Sequence, residues 1–173
     1  MQIVGRSAVS LLSDSLKLYL KALERQVEFH LGEEEKATAK KNGFIAAYKM
    51  ALGKALDIDW AKCPVRFDVI EQIVLTRNRV QHGDSLWALS ARYDPPTLTK
   101  HRNLIFANDS ELETWMNDGA DPGTWLAPQV TITKESLDVA VAEVEKLGDW
   151  IEAQIQKIDV RRRSASISYE TGK

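Results

Sequence analysis

Arg77, Asn78 and His82 fall within six positions of one another in the stretch PVRFDVIEQIVLTRNRVQHGD, residues 64–84. Their types suit phosphate chemistry. An imidazole gives and takes a proton near neutral pH. A guanidinium holds a phosphate and offsets the charge that develops on it. A carboxamide can orient either group. Asn78 and His82 are four apart, so on a helix they share a flank beside Arg77. Glu71, seven before Asn78, lies on that flank, and Asp84 follows His82. Both carboxylates are candidate orienters. The plain alternative for His82 is a histidine that caps a helix C-terminus, where unpaired carbonyls favour a cation.

The element that must position these groups is a helix. Pro64 suits its first turn, and Gly83 just past the last periodic residue is a stop signal. Phe67, Ile70, Ile73, Val74 and Val80 recur on one stripe at helical spacing. Arg77 falls near the middle of that stripe. A guanidinium there is costly unless it snorkels or meets a carboxylate, for which Glu24 and Glu28 are candidates.

The hexad Arg77-Asn78-Arg79-Val80-Gln81-His82 resembles R-N-x-x-x-H, the signature of the HEPN superfamily of small all-helical proteins. In that family an Arg and a His near the end of a core helix mark metal-independent ribonucleases, many of them toxins or abortive-infection effectors of bacteria. The resemblance implies that Arg77, Asn78 and His82 are catalytic. It implies a homodimer whose motifs meet at the interface, an RNA substrate, and an antitoxin protein as a further partner of a toxin. It calls for no cofactor and no metal. Cleavage of RNA without metal needs a base, an acid and a cation at the phosphate. One Arg and one His are too few, and a two-fold axis doubles them. The apolar stripe would then be shared between core and subunit seam. Arg79, Lys100 and Arg102 are the expected RNA contacts.

Composition bounds the alternatives. At 173 residues, 44% hydrophobic and 28% charged, the chain fits one soluble domain, expected over 1–160, with a disordered tail over 161–173. A net charge of −2 argues against a protein that coats nucleic acid by bulk charge. The basic residues are grouped locally at Arg77 and Arg79, at Lys100-His101-Arg102, and at Arg161-Arg162-Arg163. The single cysteine, Cys63, suits a reducing cytoplasm. No apolar run is long enough to span a bilayer, and the opening stretch reads as a first helix rather than a signal peptide. Three scattered histidines make a zinc site improbable.

The expected fold is all-α, an up-and-down bundle of four to five helices with an irregular insertion after the motif helix. Helix one is expected over Ser7–Leu31, from Val9, Leu12, Leu16, Leu20, Leu23, Val27 and Leu31. A second helix starts at Glu33 and breaks at Asn42-Gly43 before Phe44, Ala47, Tyr48, Ala51, Leu52 and Ala55. Residues 83–128 carry no sustained period. Within and beside them, 102–107 and 129–132 read as two short strands of a ribbon, and Ser110 as the cap of a short helix. An insertion of this length either walls a site or covers a core edge through Trp87, Trp115 and Trp125. The last helix starts at Thr133 and carries its stripe to residue 158.

Three functions compete. The first is a dimeric ribonuclease. The second is a non-catalytic helical binding or adaptor module of HEPN type, binding a nucleotide or a protein. The third is a monomeric bundle with a paired Arg, in which the flank of Asn78 and His82 is buried.

Overall fold

The computed structural model describes residues 2–81, 91–101, 103–117 and 127–170, with side chains to residue 158. The fold is all-α: 77% helical, with seven helices and no strand among the described residues. They are α1 (Gln2–Gln26), α2 (Glu33–Asn42), α3 (Phe44–Leu56), α4 (Phe67–Gln81), α5 (Pro95–Lys100), α6 (Asp109–Asn117) and α7 (Lys134–Glu170), with a 3₁₀ turn at Trp60–Lys62. No helix among the described residues is long and apolar enough to cross a membrane. The chain divides into two compact units, Met1–Leu16 with Arg66–Glu143, and Lys17–Val65 with Val144–Lys173.

The first unit is built on α4. Its fully buried stripe is Val69, Ile70, Gln72, Ile73 and Thr76. This differs from the stripe expected from Phe67, Val74 and Val80, which are half-buried. Two polar residues face inward because each is paired, Gln72 with backbone of the segment that follows and Thr76 with a tyrosine hydroxyl that in turn holds such backbone. The Gln72 carboxamide donates to Asn103 O at 3.0 Å and accepts from Ile105 N at 2.9 Å. Thr76 Oγ1 lies 3.4 Å from the buried Tyr93 hydroxyl, which donates to Phe106 O at 3.1 Å. A stripe chosen by hydrophobicity alone leaves both out, since buried polar groups are admitted where they are paired.

The expected ribbon is replaced by a looser arrangement. Arg92 and Gln129 form an isolated antiparallel bridge, and Thr131 N donates to Phe106 O at 2.8 Å. Phe106, Val130 and Ile132 are buried beneath these bonds. Inside the stretch read as patternless, Asp94 caps a short helix, accepting from Thr97 N at 3.0 Å, with Pro95 and Pro96 in its first turn. Proline is tolerated there because those N–H groups have no helical partner. The cap of α6 is Asn108 rather than Ser110: its carboxamide oxygen accepts from Ser110 N at 3.0 Å. The N-terminal part of α1 lies along residues 130–132, with Gln2 bonded both ways to Ile132. Gly5 permits that approach, since a Cβ there would meet Ile132 Cβ at 3.0 Å. Nor does α4 begin at Pro64. Arg66 O accepts from Val69 N and Ile70 N, while Glu143 fixes Arg66 through its N at 2.8 Å and Nε at 3.2 Å.

The second unit packs Leu20 and Leu23 of α1, the α3 face Ile45, Ala47, Tyr48, Ala51, Leu52 and Leu56, and Leu147 and Ile151 of α7. The break between α2 and α3 falls at Gly43, as the sequence predicts, with a φ of 87° that favours glycine. The end of α1 comes five residues before the expected Leu31. Phe29 N donates to Glu24 O at 3.0 Å across Glu28, whose φ is 55°. That six-to-one bond over a left-handed residue is a Schellman stop. It buries Phe29 edge-on to Tyr48, with ring centroids 6.4 Å apart. Trp60 packs on Trp150 at 5.1 Å and donates to Lys49 O at 2.8 Å. The cap of α7 is Thr133, as predicted, accepting from Ser136 N at 3.1 Å in the first unit. The α7 backbone continues to Glu170.

Candidate functional site

The motif residues that the structure describes sit in the last turns of α4. Arg77 is not in the middle of the buried stripe but on its rim, its side chain 24% exposed. Thr76, one residue earlier, occupies the fully buried position. The guanidinium is engaged by Asp14 of α1, with Nη2 to Oδ1 at 3.1 Å. The carboxylate that meets it is therefore not Glu24 or Glu28. Nη1 donates to Asn78 Oδ1 at 3.4 Å. The Nε atom is buried and has no hydrogen-bond partner among the described residues. Asn78 itself is exposed. Arg77 and Asn78 thus form a joined polar edge open to solvent on one side and braced by α1 on the other. His82 and Asp84, the other two members of the expected cluster, lie outside the described residues, as does Arg102.

Glu71 belongs to a different cluster. Its Oε2 accepts from Lys100 Nζ at 2.6 Å and lies 3.7 Å from His101 Nε2. Among the described residues no hydrogen bond or ion pair joins Glu71 to Arg77 or Asn78. The expected orienter of the motif is instead the anchor of α5. His101 is buried, and its Nε2 has no hydrogen-bond partner among the described residues. Burial pushes its pKa down, and Lys100 adds to that, while the Glu71 and Asp68 carboxylates oppose it. Lys100 is thus paired with Glu71, and its side chain stays 56% exposed. Arg79 is likewise paired with Asp94, the carboxylate that caps α5. Of the three expected RNA contacts, the two described are held in ion pairs within the chain.

The sequence pattern singles out neither Asp14 nor Asp94 for the site, and it places His101 only in a basic group. Asp14 carried a signal: it interrupts an apolar opening stretch on the same helix side as Leu11. Asp94 precedes two prolines, a usual cap position. His101 carried none, because its environment is made by contacts distant in sequence. Among the described residues no group of three His, Cys, Asp or Glu side chains is placed to hold a metal ion. No family model, curated protein or solved structure matches the chain.

Proposed function

We propose that the chain is a metal-independent endoribonuclease of HEPN type, working as a cytoplasmic homodimer in the role of a toxin or phage-defence effector. The frame this reading keeps is an up-and-down bundle of four to five helices. The observation that carries it is the joined edge of Arg77 and Asn78, with Asn78 exposed and the guanidinium partly so. A monomeric bundle with a purely structural arginine calls for the opposite, a buried flank. In the proposed reaction His82 takes the proton of the 2′-hydroxyl. The 2′-oxygen attacks phosphorus, the bond to the 5′-oxygen breaks, and the partner's His82 protonates that leaving oxygen. The products are a 2′,3′-cyclic phosphate and a 5′-hydroxyl. Arg77 of each protomer offsets the charge on the phosphorane, and Asn78 holds the guanidinium or the phosphate in register.

The test is cleavage of single-stranded RNA in EDTA by the wild-type protein and by Arg77→Ala and His82→Ala. Both substitutions abolish turnover while the helical circular dichroism persists. Turnover that survives both removes the proposal.

A second reading has its own support. Ile3, Val4 and Leu11 of α1 are 77%, 72% and 68% exposed, a spacing that sets apolar side chains along one solvent-facing region of the helix. Such a face suits a non-catalytic module that binds another protein, an antitoxin included. That reading gives association without RNA turnover.

A further inference from the structure

Arg77 can meet a phosphate only through nitrogens that are already spoken for. A guanidinium grips an oxyanion best through two N–H groups that point the same way. Here Nε faces protein, Nη2 is 3.1 Å from Asp14 Oδ1, and Nη1 is 3.4 Å from Asn78 Oδ1. An incoming phosphate must share the terminal nitrogens with Asp14 or displace it. Asp14 is placed to yield, because its side chain is 44% exposed and the pair sits on the rim of the first unit. A pair so exposed is held weakly.

We infer that Asp14 is a positioning residue for Arg77 that also sets how tightly the arginine holds a phosphate. The carboxylate extends the guanidinium along the open edge beside Asn78. It also cancels part of the charge that would otherwise bind any passing anion. A phosphate that arrives with further contacts of its own overcomes this; an isolated one does not. The identity of the ligand as RNA rests on the reading above, whereas the clamp itself rests on the geometry of Asp14, Arg77 and Asn78.

Asp14→Asn separates the two roles, because the amide keeps an acceptor at the Oδ1 position and removes the charge. The probe is a short fluorescein-labelled 2′-O-methyl oligoribonucleotide, which lacks the attacking hydroxyl and is not turned over. By anisotropy, Asp14→Asn binds it about fivefold tighter than wild type, the scale of one partly exposed charge contact. The slope of log affinity against log salt steepens by up to about 0.7, one phosphate's worth for a single strand. In an Arg77→Ala background the same substitution changes neither quantity. Asp14→Ser, which also removes the charge, serves should the amide variant fold poorly, and it gives the same gain; a folded Asp14→Ser without that gain overturns the inference as well. Unchanged or weaker binding by a folded Asp14→Asn overturns the inference. So does an equal gain without Arg77, which marks a general charge effect. The two readings fail separately. Wild type that cleaves no RNA while the Asp14→Asn gain holds removes the ribonuclease and leaves the clamp. Cleavage without that gain does the reverse.

Discussion

The His101 imidazole lies 3.7 Å from the Glu71 carboxylate, with only 4% of its side chain exposed and no hydrogen-bond partner for its Nε2 among the described residues. Burial lowers its pKa below the ordinary value of 6.5, more than the carboxylates of Glu71 and Asp68 raise it. The unfolded chain therefore takes up a proton that the folded chain refuses. Stability from this group is fully present above about pH 6.5 and is lost as pH falls toward the folded pKa. Urea unfolding midpoints measured across that acid limb should decline in wild type and flatten in His101→Phe. A limb of equal steepness in the variant assigns the decline to other groups.

Gln72 is a hydrogen-bond clasp in the core, 1% exposed and joined to two backbone groups of the segment after α5. Gln72→Ala leaves Asn103 O and Ile105 N without those partners in the core. The expected loss is about 2–4 kcal/mol by denaturant titration. Gln72→Glu keeps the shape but cannot donate to Asn103 O when ionised, so it should fall short of wild type as well. Near-neutral behaviour of both variants would mean that water replaces the clasp.

How far the sequence foretells these arrangements depends on how local their causes are. The break at Gly43 and the cap at Thr133 are written in adjacent residues, and both are found where expected. The end of α1 is not, because a glutamate rather than a glycine takes the left-handed position and the stop is completed by burying Phe29. The inward face of α4 departs from the expected stripe for a related reason. Gln72 and Thr76 look like surface residues until the partners they meet in the core are known. In the site, the joining of Arg77 to Asn78 follows from their adjacency. The capture of Arg77 by Asp14, and of Glu71 by Lys100, follows from tertiary placement that no spacing encodes.

Glu28 gives a stabilising prediction. Its φ of 55° is a conformation that costs any residue with a Cβ and costs glycine little. The side chain is exposed, so little packing is lost by removing it. Glu28→Gly should raise stability by roughly 0.5–1 kcal/mol, offset in part by the greater freedom of glycine in the unfolded chain. A thermal midpoint below that of wild type would show that the glutamate makes up the strain through its own contacts.

The proposed dimeric ribonuclease makes a demand that no monomeric enzyme makes. If each catalytic cleft draws Arg77 and His82 from both protomers, an inactive chain that still pairs will disable the wild-type chain it meets. Arg77→Ala is suited to this, because losing a partly exposed pair with Asp14 costs the fold about 1 kcal/mol or less. Wild-type and Arg77→Ala chains mixed in equal amounts, unfolded and refolded together, leave about a quarter of the dimers wholly wild type by random pairing. RNase activity should fall to about that fraction of the undiluted value if a single missing arginine silences a cleft. An activity of one half, the share of wild-type chains in the mixture, means that each chain works alone and that Arg77 serves no shared site.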